Sequence, residues 1–194
     1  MKPPKRRWLG VVRAMHIYLT LLSILLFLFF GATGFMLNHG EWFGLEEVVL
    51  EEQKGTIPRP MLAPLDRLAV VERLRAEFGA TGALDAFQEE DSTLLVVFRS
   101  PRGRTDAEIK KGDGATHVTR EHRGTIAMLA RLHTGEDTGE GWRWLIDGAS
   151  LLLLLASVTG LTLWLTLPSR RRVGLAALVT GVASFIVAYF AFVP

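Results

Sequence analysis

Cysteine is missing from all 194 residues, and with it go disulfides, thiolate metal sites and covalent attachment of c-type haem through a C-x-x-C-H pair. The chain also lacks a G-x-S-x-G elbow, a Walker loop, a dinucleotide-binding fingerprint and an H-E-x-x-H helix. These absences point away from a soluble-cofactor enzyme or a hydrolase. Acidic residues are missing before Glu41 and after Asp147. A pI of about 9.2 would ordinarily suggest nucleic acid. Here the end clusters of basic residues flank apolar runs, where they act as membrane-topology signals and contacts for anionic lipid. The reading is no nucleic acid.

What is there is apolar and long. Ile17 to Leu37 holds no charge over twenty-one residues, enough at about 1.5 Å per residue to cross a hydrocarbon core roughly 30 Å thick. Gly148 to Ser169 and Val173 to Pro194 are uncharged runs of similar length. The chain therefore reads as three transmembrane helices, 17–37, 148–169 and 173–194, around an intervening segment 38–147. Lys2, Lys5, Arg6 and Arg7 resemble the charged region of a signal peptide. The first run outlasts a signal core, however, and ends in Phe35-Met36-Leu37-Asn38-His39 without a small-x-small cleavage pattern, so it is expected to stay as an anchor.

Charge gives the expected orientation. Residues 1–16 carry Lys2, Lys5, Arg6, Arg7 and Arg13 without an acid, and the short link 170–172 is Arg170-Arg171-Arg172. By the positive-inside rule both are cytoplasmic, and 38–147 is extracytoplasmic. That segment holds all twenty acidic residues and the fourteen basic ones left when these eight are taken from twenty-two, a formal charge of −6. Trp8 and Trp164 fall at the expected inner ends of the spans, Trp42, Trp142 and Trp144 at the outer ends, where indole rings prefer the interface.

The segment 38–147 predicts one helix on a small antiparallel sheet. Glu41 to Glu52 alternates acids with apolar residues, and Ile57-Pro58-Arg59-Pro60 with Pro64 reads as an extended linker. Asp66 is placed to cap a helix with Leu68, Val71, Leu74, Arg75 and Phe78 at helical spacing, stopped by Gly79 and Gly82. Strand-like runs follow at Leu84–Gln88, Leu94–Arg99, Ala107–Lys110 and Thr116–Arg120, joined by Asp91-Ser92, Pro101-Arg102-Gly103 and Gly112-Asp113-Gly114 turns. Thr125 to Leu132 suggests a second, interfacial helix that brings His133 to the bilayer surface.

With this order of elements the chain resembles the PepSY-associated transmembrane proteins of bacteria. The resemblance rests on Thr33-Gly34-Phe35-Met36-Leu37-Asn38-His39, on Leu132-His133-Thr134-Gly135 with Thr138-Gly139, Trp142 and Ile146-Asp147, and on Ser157-Val158-Thr159-Gly160-Leu161-Thr162-Leu163-Trp164. It implies an inner-membrane protein with a PepSY-like α+β domain outside. Larger members include reductases that release iron from ferric siderophores with b-type haem held by histidines at helix ends. Others are connected with the inhibition or regulation of extracytoplasmic peptidases.

Two functions from different classes follow as expectations. One is a haem-binding subunit supporting electron transfer in iron or siderophore uptake beside another membrane protein. The other is a membrane-tethered PepSY module that binds or regulates an envelope partner without redox chemistry. For the first, His39 and His133 both fall at the outer interface and could approach one haem iron from opposite faces. His16 lies about 34 Å from His39 along an ideal helix and would need a second copy of the chain as partner. Each of these histidines equally reads as an interfacial anchor. His117 and His122 read as solvated, or as a loose metal pair with Glu121. Asp147 is either the cap of the second span or a carboxylate orienting a histidine. Glu41, Glu136, Asp137 and Glu140 read as a solvated acidic rim.

Small residues complete the pattern. Ala177, Gly181, Ser184 and Ala188 share a stripe of the third span, and Ala156 and Gly160 form a small-xxx-small pair in the second, as in close helix packing within a bundle or a homo-oligomer. Thr33-Gly34 and Thr159-Gly160 fit the same role, with hydroxyls bonding back to the preceding turn. The topology is tested by reporter fusions: a fusion after Leu167 is expected to report a cytoplasmic site and one at the C-terminus an extracytoplasmic site, and an outside location for the Arg170–Arg172 link would overturn the scheme.

Overall fold

A computed structural model describes residues 4–193, with side chains from Arg7 onward. The topology signals at Lys2, Lys5 and Arg6 and the expected end of the third span at Pro194 lie outside the described side chains. Among the described residues three helices are long and apolar enough to cross a membrane: Arg7–Asn38, Glu140–Leu165 and Pro168–Phe192. The first belongs to α1 (Pro4–Asn38), the second is α4 (Glu140–Leu165), and the third contains α5 (Arg171–Phe192) after a 3-10 turn at Pro168–Arg170.

The chain divides into two compact units, Met1–Phe27 with Asp147–Pro194, and Leu28–Ile146. In the first, α4 turns into α5 at Pro168, and the Trp164 ring occupies the space where Gly174 lacks a side chain. The apolar window of α5 has none of its residues buried against the rest of the chain. The stripe of Ala177, Gly181, Ser184 and Ala188 is therefore exposed along its length.

In the second unit five antiparallel strands form one sheet: β1 (Val48–Thr56), β2 (Ala83–Glu89), β3 (Thr93–Ser100), β4 (Gly103–Lys110) and β5 (Ala115–Arg123), ordered β1-β5-β4-β3-β2. The last four follow as a meander. α2 (Arg67–Phe78) carries the chain from one sheet edge to the other, and its residues Val70, Leu74 and Phe78 join Leu94, Val96, Phe98, Ile109 and Val118 in the core. The strand residues alternate, as a sheet with one covered face requires. Gly55 of β1 is needed beneath α2, because a Cβ there would meet the Phe78 ring at 2.7 Å.

Helix punctuation follows the local chemistry. The Asp66 carboxylate accepts a hydrogen bond from Ala69 N at 3.0 Å, and Gly79 ends α2 at φ 63°. The buried stripe is shifted from the expected one: Val70 is buried, whereas Leu68 is 72% exposed. Val70, Val71, Leu74 and Phe78 lie within about 100° of arc at 100° per residue, and Leu68 falls outside it.

β1 departs most from expectation, since Val48–Thr56 spans part of the presumed acidic approach and stops just before the presumed linker. As an edge strand with mostly exposed side chains it tolerates Glu51, Glu52, Gln53 and Lys54, which hides the apolar alternation of a strand. α3 (Thr125–Thr134) forms where a second helix was expected, and its buried residues are Ala127 and Ala130.

Leu74 is fully buried, and Leu74→Ala is expected to destabilise the sheet domain by about 3 kcal/mol. Leu68→Ala should cost under about 0.5 kcal/mol. Hydrogen exchange of the β3 and β4 amides in the full-length protein reads both.

Candidate functional site

The histidines at the ends of the apolar helices are each held by a specific acceptor. In the first unit His16 Nδ1 lies 3.1 Å from Ala156 O and 3.0 Å from Thr159 Oγ1. A carbonyl only accepts, so Nδ1 carries the hydrogen. The Thr159 hydroxyl donates to Leu155 O at 2.7 Å, which leaves its lone pairs for the imidazole. The ring covers Gly160, where a Cβ would sit 3.0 Å from His16 Cε1.

The second unit repeats the arrangement with other residues. His133 Nδ1 is 2.8 Å from Thr33 Oγ1, and the Thr33 hydroxyl donates to Phe29 O at 2.7 Å. With that proton spent, the imidazole is the donor. A Cβ at Gly34 would come within 3.3 Å of His133 Cε1. Phe30 meets the ring edge-on with centroids 5.1 Å apart, and Trp142 Nε1 donates to Leu132 O at 2.8 Å one residue away. Each Thr–Gly step thus supplies an acceptor and the space above it.

His39 is built differently. It follows α1 directly, donates from Nδ1 to Phe35 O at 3.1 Å and has the Phe35 and Trp42 rings each with a centroid 4.3 Å away. Among the described residues no hydrogen bond or ring contact joins His39 to His133, and no three His, Cys, Asp or Glu side chains gather as a metal group.

All three imidazoles share one property. With Nδ1 protonated, the neutral ring keeps its lone pair on Nε2, the atom that ligates a haem iron or a metal. Each histidine fits the donor chemistry of a single ligand.

Asp147 lies inside α4, which begins seven residues earlier at Glu140, so it does not cap the helix. Its side chain is exposed. The helix starts early because Thr138-Gly139 breaks the chain there and Glu140 faces the positive end of the helix dipole. His117 and His122 do not converge on Glu121. Five residues apart on β5 they point to opposite faces, His117 toward Glu52 at 3.4 Å and His122 toward Glu51 at 3.6 Å, while Glu121 pairs with Arg123 at 2.6 Å.

Asp137 is not part of a solvated rim. Its side chain is 12% exposed, its backbone adopts φ 55°, and its carboxylate pairs with Arg131 and, at 3.7 Å, with Arg99. This joins the α3–α4 turn to β3. On the neighbouring strand a hydrogen bond from Arg104 to Asp106 holds the guanidinium pKa above its ordinary value. No periodicity in the sequence announces these ion pairs, and the two Thr–Gly steps, which the sequence suggests only as close helix-packing surfaces, also seat His16 and His133.

Thr33→Val, which keeps shape and removes the acceptor, is expected to cost about 1 kcal/mol in detergent thermal unfolding, with Thr33→Ser restoring most of it. Gly34→Leu should cost more, because the imidazole is displaced together with its hydrogen bond. Equal stability of Thr33→Val and wild type would remove the hydroxyl from the account.

Comparison with known proteins agrees with this architecture. Residues 8–194 match the family model described as putative PepSY_TM-like. No curated protein and no solved structure matches the chain. Three membrane-length apolar helices, a five-stranded sheet domain and a family match over nearly every residue lead to one assignment: the chain belongs to the PepSY_TM-like family.

Proposed function

We propose that this is a bacterial inner-membrane protein that holds its sheet domain on the extracytoplasmic side as a docking module for an envelope partner. The observation that carries the reading is the sheet face opposite α2. There β4 presents Arg104, Asp106 and Glu108, β5 presents His117, Thr119 and Glu121, and β1 presents Glu52 and Lys54, all at least partly exposed. Mixed charges on a rigid sheet favour a partner of complementary charge and disfavour a mismatched one. The basic residues at 1–16 and 170–172 support the orientation that puts this face outside.

Photo-cross-linkers placed at Glu108 and Thr119 in cells should form adducts with an envelope protein, and cross-linkers at Arg73 and Glu77 on α2 should not. Glu108→Lys should abolish the Thr119 adduct. An open face that stays free of adducts at every position would defeat the docking role.

A second reading is b-type haem, favoured by the Nε2 lone pairs that the Nδ1 bonds leave on His39, His133 and His16. Haem would supply one-electron transfer for iron release from a siderophore. His39 and His133 would serve one iron, and His16 would need its counterpart from a second protomer. Seen from the residues, Thr33 and Phe35 O orient the two outer rings through Nδ1. Protein purified from haem-replete cells should then show a Soret band and a dithionite-induced α band, reduced in His39→Ala and in His133→Ala. A colourless wild type ends this reading, and undiminished bands in both variants end the ligand assignment.

A further inference from the structure

Beside Asp137 lies a cavity of about 140 Å³ whose walls carry four guanidinium groups, Arg99, Arg104, Arg123 and Arg131, against two carboxylates, Glu121 and Asp137. The lining alone is formally +2, and Asp85, Asp106 and Glu136 just outside it pair with Arg99, Arg104 and Arg131. We infer that this cavity is a binding site for a phosphate group, and that the headgroup phosphate of an anionic phospholipid is its ligand.

The arginines are prearranged without being used up. Arg104 is braced by Asp106 at 2.7 Å, Arg123 by Glu121 at 2.6 Å, and Arg131 by Asp137 and Glu136. Each guanidinium has five N–H donors in a planar fork, and these pairs engage only part of the set. Arg99 Nε is buried and makes no aligned hydrogen bond, although Asp85 Oδ2 is 2.9 Å away. A tetrahedral dianion or phosphodiester accepts several N–H groups at once, and arginine forks suit its geometry.

A lipid source is favoured by the adjoining cavity of about 210 Å³, which shares Arg123 and Arg131 and is otherwise walled by Leu37, Leu45, Ala127 and Ala130 with Thr134 and Glu136. Leu37 belongs to the last turn of the apolar helix α1. A cationic cavity that shares two arginines with a more apolar one, at the end of a membrane-length helix, suits an amphiphile with its phosphate in the first and its chain in the second. Structural ion pairs alone explain the arginines but not the apolar chamber they share.

The full-length protein is stripped into phosphate-free neutral detergent and titrated with phosphatidylglycerol in mixed micelles and, separately, with inorganic phosphate; native mass spectrometry and thermal unfolding are the readouts. Phosphatidylglycerol should bind and raise the melting temperature, with competition by inorganic phosphate. Arg104→Gln and Arg123→Gln should each weaken binding about fivefold, the scale of one partly exposed charge pair. Glu121→Gln should strengthen it by a similar factor, a gain that misfolding cannot imitate. Binding of inorganic phosphate without the lipid keeps the site and changes its source to a soluble phosphate. Binding of neither, or lipid binding that ignores all three substitutions, overturns the proposal.

Discussion

An imidazole among apolar helices has to have its N–H answered by an oxygen within reach, because apolar side chains offer none and an unsatisfied donor costs more than most single contacts contribute. This chain meets that demand twice in one way. Thr33 and Thr159 each give their proton to a carbonyl of the preceding turn and turn a lone pair outward, and the glycine that follows removes the side chain that would keep the ring away. The hydroxyl is therefore both anchored and available. Much else depends on it: the tautomer of His16 and His133, the site of the free lone pair, and the closeness with which the two helical segments pass within each unit.

The sheet domain obeys a different constraint. With no cysteine and one helix, its core has to come from a single covered face, which is why Leu94, Val96 and Phe98 alternate with residues of the opposite face along β3. Apart from Val97, which is buried on β3, the opposite face is mostly charged, and its charges are knitted into short-range pairs. At one corner the pairs concentrate on Asp137, a non-glycine residue held at positive φ between two arginines. Such a backbone conformation persists only where surrounding contacts over-determine it.

Legibility followed the length of the pattern. Uncharged runs of more than twenty residues identified all three apolar helices, and Asp66 and Gly79 marked the ends of α2 by chemistry that needs no tertiary contact. Four strands were visible because β2 to β5 sit between glycine- and aspartate-rich turns. β1 was not, since an edge strand faces solvent on most sides and carries Glu51 to Lys54 where a central strand would carry valine. Leu68 misled for a related reason: two faces of a short helix can both look apolar, and only the sheet decides which is covered. Thr33 lies 100 residues from His133, and Arg99 meets Asp137 from a different element, so no local rule connects either pair.

The placement of β1 beside β5 has a mechanical meaning. Val48 opposes Arg123 in the register, so the strand that follows α1 begins, and the strand that leads into α3 ends, at the same end of the β1–β5 pair. Tension between those two connections would load the cross-strand hydrogen bonds one after another, starting with the pair at the end, instead of sharing the force among them. The domain is thus attached in the unzipping direction, the weak axis of an antiparallel pair, and a pull at its base would release β1 before it disturbed the meander.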